Sequence, residues 1–208
     1  MKKTEKLKKI LCMIIMAAAF VLIFASCAPE VSDISTELVK DDGSMVLLAG
    51  NSAVDFYFYY PENWTIHRND AMIIIQTNDT ETLETDVPEG LSGEPLAYIT
   101  APNISAQVFS LLEGYATVDD YWDNFAAPSL RQIFQDVEDD ASEELTVGGT
   151  PAKKYTYTLS LSGMRYKISQ VIFFRQRQVY TLTYTATEGK YDTYAGTLDA
   201  VAESFVFK

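Results

Sequence analysis

One histidine, two cysteines and 29 acidic residues are the groups from which this 208-residue chain would have to build chemistry. His67 is the only imidazole, so no site can hold two histidines, and it sits beside Arg68, Asn69 and Asp70 where a turn would expose it. A serine hydrolase would have to use that histidine, yet the chain has no Gly-x-Ser-x-Gly elbow. Glu188-Gly189-Lys190-Tyr191 holds a Gly-Lys pair but lacks the upstream glycine and the following hydroxyl residue of a phosphate loop, so it reads as a strand-to-helix connection. Asp136, Glu138, Asp139, Asp140, Glu143 and Glu144 form a dense acidic run. A calcium loop would alternate its ligands and turn on a glycine, and the run reads instead as a solvated loop. Paired carboxylates for glycoside chemistry can always be found among so many acids, so such a pair says nothing by itself. No metal site and no cofactor motif emerges.

Cys27 is different, because its neighbours specify its chemistry. Residues 2–9 are rich in lysine, and Ile10 to Phe24 are 15 consecutive apolar residues. A membrane-crossing helix needs about 20 apolar residues, whereas the apolar region of an export signal needs roughly 7–15. Phe24-Ala25-Ser26-Cys27 follows, and it resembles the lipobox of bacterial lipoproteins, with phenylalanine where leucine is usual. The resemblance implies cleavage between Ser26 and Cys27 and a diacylglyceryl group on the Cys27 thiolate. Residues 1–26 are then a signal peptide and 27–44 a lipidated cysteine with a polar tether. Two or more acyl chains hold a protein stably on a membrane. The 17 residues from Ala28 to Ser44 would reach about 20–25 Å as a flexible coil. Cys12 lies inside the signal, so no disulfide can form in the mature domain.

Charge narrows the partners. The whole chain carries 16 basic and 29 acidic groups, net −13. Without the five lysines and one glutamate of the signal, 11 basic groups face 28 acidic ones and the net charge is −17. Such a surface excludes general binding to nucleic acid, which requires cations to displace counterions from phosphate. The cations are uneven: between residues 153 and 190 there are seven against Glu188 alone. Arg165 and Lys167 share one strand face, and Arg175 and Arg177 another near the next turn. They are the candidate partner face, with internal balancing of acids as the alternative reading.

The elements that must position these groups follow from punctuation and period. Met45–Ala49 and Val54–Tyr60 read as a hairpin about Gly50-Asn51-Ser52. Strands are predicted at Trp64–Ile66 and Ala71–Gln76, an irregular insertion over residues 78–95, and extended segments over 96–100 and 104–112. Thr117 with Asp120 three residues on resembles a capping box, and Tyr121, Trp122 and Phe125 lie at helical spacing before Pro128. Trp64 and Trp122 are assigned to the core. Tyr155, Tyr157, Leu159 and Leu161, then Met164, Tyr166 and Ile168, then Tyr180, Leu182, Tyr184 and Ala186, alternate with polar residues. This period of two predicts an antiparallel meander. Tyr157, Leu159, Tyr180 and Leu182 are expected to share one core layer. Tyr191, Tyr194, Leu198 and Val201 mark a closing helix. The fold class is α+β, one domain over residues 45–208.

Phe58-Tyr59-Tyr60-Pro61-Glu62-Asn63-Trp64 resembles the aromatic-Pro-x-x-Trp opening of PsbP-like domains. Thr117–Trp122 is similar to their first helix, Val147-Gly148-Gly149-Thr150-Pro151-Ala152 to the turn before their meander, and Ser204-Phe205-x-Phe207 to their close. The resemblance implies an antiparallel sheet between helix layers and a binding or assembly module rather than an enzyme; it carries no metal ligand or cofactor over. The expectation is a monomeric extracytoplasmic lipoprotein, anchored to the membrane through Cys27, that binds a protein or small-molecule partner. The alternatives are an extracytoplasmic hydrolase using paired carboxylates and a structural envelope protein.

Overall fold

In the computed structural model of the chain, residues 37–39, 45–50, 54–69, 72–84, 97–161 and 163–208 are described. The stretch read as a signal peptide, Ser26 and Cys27, most of the stretch read as a tether, the turn at 51–52 and residues 85–95 of the expected insertion lie outside them.

Apolar and aromatic runs broken by proline and glycine give β1 (Glu37–Val39), β2 (Met45–Gly50), β3 (Phe56–Tyr60), β4 (Trp64–Asn69), β5 (Met72–Thr77), β6 (Glu81–Glu84), β7 (Ala97–Thr100) and β8 (Asn103–Ser110). A helical segment follows: α1 (Val118–Tyr121), a π-helical turn at Trp122–Ala126, and α2 (Ala127–Ile133). Then come β9 (Gln135–Val147), β10 (Thr150–Leu161), β11 (Met164–Arg175), β12 (Gln178–Thr187), α3 (Tyr191–Glu203) and β13 (Val206–Phe207). The fold is α+β and its sheets are antiparallel.

Three elements depart from the sequence reading. β1 lies inside the stretch read as tether and pairs with β2. β6 lies inside the expected insertion and pairs with β7, the segment expected to be extended over 96–100. The acidic run is not a loop: it is strand β9, in register with β10. Its charges are met by cations on neighbouring strands, as when Glu143 faces and pairs with Lys154, which is how a sheet tolerates so acidic a strand.

The main sheet has seven strands in the order β4-β5-β8-β12-β11-β10-β9. β1-β2-β3-β13 form a second sheet, in which Val206 and Phe207 return to pair with Tyr57 and Phe56. Two apolar clusters lie on opposite faces of the main sheet. Tyr180, Leu182, Tyr184, Val171 and Phe173 pack under α3 with Phe56, Phe58 and Phe205. Tyr155, Tyr157, Leu159, Ile168 and Ile172 pack under the α1–α2 segment with Trp122, Leu130 and Phe134. The four residues expected to share a layer are therefore split two and two. The reason is register: Tyr157 is opposite Ile168, whereas Tyr180 is opposite Phe173. With both faces covered, odd and even positions are buried alike, so hydropathy alternation no longer tells the faces apart.

Turn chemistry holds the meander in register. Gly148 and Gly149 both have positive φ, 54° and 77°, as a two-residue hairpin turn requires. A Cβ on Gly148 would meet the Phe207 ring at 2.9 Å, so that position admits no side chain without movement of the ring.

Candidate functional site

Capping fixes where the helical segment begins. The Asp120 amide donates to Thr117 Oγ1 at 3.1 Å, which satisfies one of the free amides of the first turn. Asp119, Trp122 and Asp123 then fall on one side of the segment, at spacings of three and four. Pro128 has no N–H to return to the carbonyl four residues back, and its ring would crowd that carbonyl. The chain answers with the π-helical turn, in which the Ala127 N–H reaches back five residues to Trp122 O. Pro128 thus sits in the first turn of α2, and the helical segment continues past it to Ile133.

Lys153 and Tyr155, two residues apart on β10, face this side of the helix. Asp119 accepts from Lys153 Nζ at 2.5 Å and from the Tyr155 hydroxyl at 2.7 Å. The Trp122 ring stacks on Tyr155 with centroids 4.1 Å apart and planes 6° apart. The hydrogen bonds from Lys153 and then Tyr155 hold the Asp119 carboxyl below its ordinary 3.8. Burial, reinforced by the hydrogen bond to Asp119, pushes the Tyr155 phenol up, so Tyr155 stays a donor at neutral pH.

Around this centre runs an open groove between the helix and the sheet. One part, about 640 Å³, is lined by Thr117, Val118, Asp119, Glu144, Thr146 and Phe174. The next, about 620 Å³, is lined by Asp119, Trp122, Asp123, Asp139, Ser142 and Tyr155. Both include Lys153, so the Asp119–Lys153 pair divides them. No group of three or more metal-ligating side chains occurs among the described residues.

The candidate residues from the sequence are placed elsewhere. Ser26 and Cys27 lie outside the described residues. Arg165 pairs with Glu138 at 3.4 Å and Glu188 at 3.6 Å. Lys167 pairs with Asp140 at 3.2 Å and lies over the Tyr191 ring. Arg175 pairs with Asp55 at 3.4 Å and lies 4.0 Å from the Phe207 ring centre. Arg177, exposed in the β11–β12 turn, makes no ion pair among the described residues. The four do not form one patch, because β11 runs unbroken and Lys167 and Arg175 stand about 26 Å apart along it. Arg165, Lys167 and Arg175 each hold a carboxylate.

His67 is exposed on β4. Trp64 is in the core, edge-on to Tyr194. Trp122 is buried but also walls the groove. Gly189-Lys190 is a turn into α3, with Lys190 Nζ donating to Asp79 at 2.6 Å. Thr117 as a cap and Tyr155 as part of a period-two strand are each legible locally, but nothing local joins Asp119 to residues 34 and 36 positions later.

No protein-family model and no curated protein matches the chain. Solved structures do. LpqN, involved in cell envelope biogenesis of Mycobacterium tuberculosis, superposes with a TM-score of 0.52 at 15% identity over 74% of this chain and 83% of LpqN. Cyanobacterial PsbP from Synechocystis gives 0.46 at 15% identity, over 89% of this chain and 99% of that one. The Saccharomyces cerevisiae Ran-binding protein Mog1p gives 0.49 at 8% identity, over 85% and 96%. The chain thus has the PsbP-like α+β fold that its order of elements resembles, and it shares that fold with LpqN.

Proposed function

We propose that the chain is an extracytoplasmic lipoprotein, held to a membrane by acyl groups on Cys27, whose PsbP-like domain binds a partner rather than catalysing a reaction. The observation that carries the anchoring is Phe24-Ala25-Ser26-Cys27 at the end of 15 apolar residues behind a lysine-rich start. Among the described residues no helix is long and apolar enough to cross a membrane. The site supports binding over chemistry. A general acid needs a raised pKa, and the Asp119 carboxyl at the heart of the groove is instead lowered and held by two donors. The groove is open and lies beside the rim of the sheet, a shape suited to a protein surface. LpqN, with the same fold, is involved in cell envelope biogenesis, and the envelope is where the lipobox would put this chain.

Labelling cells with radioactive palmitate tests the anchor. The wild type is expected to take up label and Cys27→Ala to take up none, since Cys12 lies within the signal. Equal label in both would overturn the anchor. Chemical crosslinking in intact envelopes tests the binding role, which predicts a discrete adduct with another protein.

A further inference from the structure

We infer that the outer edge of β9, over Ala141–Val147, takes up an extended lysine- or arginine-bearing segment of a partner protein as an added strand, with alternate side chains entering the groove beside α1. This rests on the proposed binding role and says where and how it is carried out.

The seven-stranded sheet ends on β9, and among the described residues no strand pairs with its outer side. A rim strand leaves every second N–H and C=O unpaired, a template for another chain. β9 has 13 residues, whereas β4 at the opposite rim has six. The register of β9 against β10 shifts only between Thr156 and Tyr157 and between Thr158 and Ser160. Its first half is therefore irregular, while Ala141–Val147 lies in unbroken register opposite Thr156–Thr150. That regular half is also the open one: residues 141–144 and 146 are exposed.

Geometry then places the added side chains. Ser142 and Glu144 stand opposite Tyr155 and Lys153, so they share the sheet face that carries the helix and the groove. A strand laid about 4.8 Å outside β9 would direct alternate side chains over the same face, spaced about 6.6 Å apart. The groove has two compartments along that direction, of about 640 and 620 Å³, separated by the Asp119–Lys153 pair. Each can receive one side chain.

Charge selects the occupant. Glu144 lines the first compartment and Asp123 the second, and neither makes an ion pair among the described residues. A second copy of this chain would bring its own acidic β9 against this one, and like charges directly opposite are unfavourable. A segment with lysine or arginine at alternate positions meets both carboxylates. Main-chain hydrogen bonds would supply most of the affinity, and the charges its selectivity and association rate.

Amide hydrogen exchange on the full chain in detergent tests this, with two short peptides as probes, one of alternating lysine and threonine and the other of alternating glutamate and threonine. Saturating lysine peptide is expected to slow exchange at alternate amides of residues 141–147 and to bind about tenfold more tightly than the glutamate peptide. Reversing both carboxylates, Asp123→Lys with Glu144→Lys, should remove that preference and leave exchange elsewhere in the fold unchanged. Unchanged exchange over 141–147 with lysine peptide present, or a preference that survives the double reversal, would overturn the inference. A partner crosslinked in envelopes only through residues away from β9 would also remove this edge, while the proposed binding role stood. Protection of β9 by the peptide, with no protein adduct in envelopes, would strike the binding role and keep the edge.

Discussion

Asp119 shows how a single carboxylate can set the geometry of a groove without being a reactive group. Lys153 donates to it first and Tyr155 second, and both bonds favour its ionised form. The folded pKa therefore lies below the unfolded value, so the resulting stability is present above about pH 4 and is lost as pH falls through the folded pKa. The side chain is 56% exposed, so solvent screening keeps the effect modest. Asp119→Asn should leave stability at neutral pH little changed and make its decline toward low pH shallower. Urea midpoints measured across that acid range, with the carboxyl titration followed by NMR, check it; an Asp119 carboxyl titrating above 3.8 would remove the ion-pair account. Legibility at this scale divides by sequence distance. Thr117 was readable because its acceptor role is local. The stacking of Trp122 on Tyr155 was not, because two elements must dock before the rings meet.

At the scale of elements, two hairpin turns with the same shape have different residues. Gly148-Gly149 and Gln176-Arg177 both adopt positive φ at both central positions, joining Val147 to Thr150 and Arg175 to Gln178. Glycine does this freely, while an L-residue meets its own carbonyl at a cost of about 1–2 kcal/mol. The second turn is exposed and is held by the long ladders of β11 and β12. Replacing it through Gln176→Asn with Arg177→Gly should stabilise the domain by about 1 kcal/mol, since Asn-Gly is the favoured pair for this turn. A chain of this size would then melt roughly 2–4 °C higher. Calorimetry showing no gain would mean that the turn relaxes at no cost. The contrast also explains what was legible. Gly148-Gly149 announced its turn, and the meander announced itself by period two. β9 did not, because its apolar alternation is replaced by acids whose partners, such as Arg131, Lys154, Arg165 and Lys167, sit on other elements. The second sheet was legible only as its β2–β3 hairpin, since the strand that completes it pairs Phe207 with Phe56, 151 positions earlier in the chain (207 − 56).

For the whole molecule, the uneven charge found in the sequence resolves into an acidic rim laid against a basic meander. Lys153, Lys154, Arg165, Lys167, Arg175 and Lys190 each hold a carboxylate, yet the chain remains at −13. Two electrostatic effects of opposite sign therefore act on stability, and distance separates them. The pairs with Asp119, Asp199, Glu138, Asp140, Asp55 and Asp79 close within 4 Å, inside the screening length at any ordinary salt concentration. The surplus acids repel one another across a domain with a radius of gyration of about 15 Å. At about 10 mM salt the screening length is roughly 30 Å and every surplus charge feels the others; at about 150 mM it is roughly 8 Å and only neighbours interact. Added salt in that range removes repulsion faster than attraction, and the expanded unfolded chain has less repulsion to lose. Surface pairs are worth only about 0–1 kcal/mol each in any case. The melting temperature should therefore rise by roughly 2–4 °C between the two concentrations, about 1 kcal/mol for a chain of this length. Calorimetry in sodium chloride at a fixed neutral pH decides the matter. A melting temperature that falls across this range would mean that the pairs between the rim and the meander, rather than the surplus acids, govern the stability of the domain.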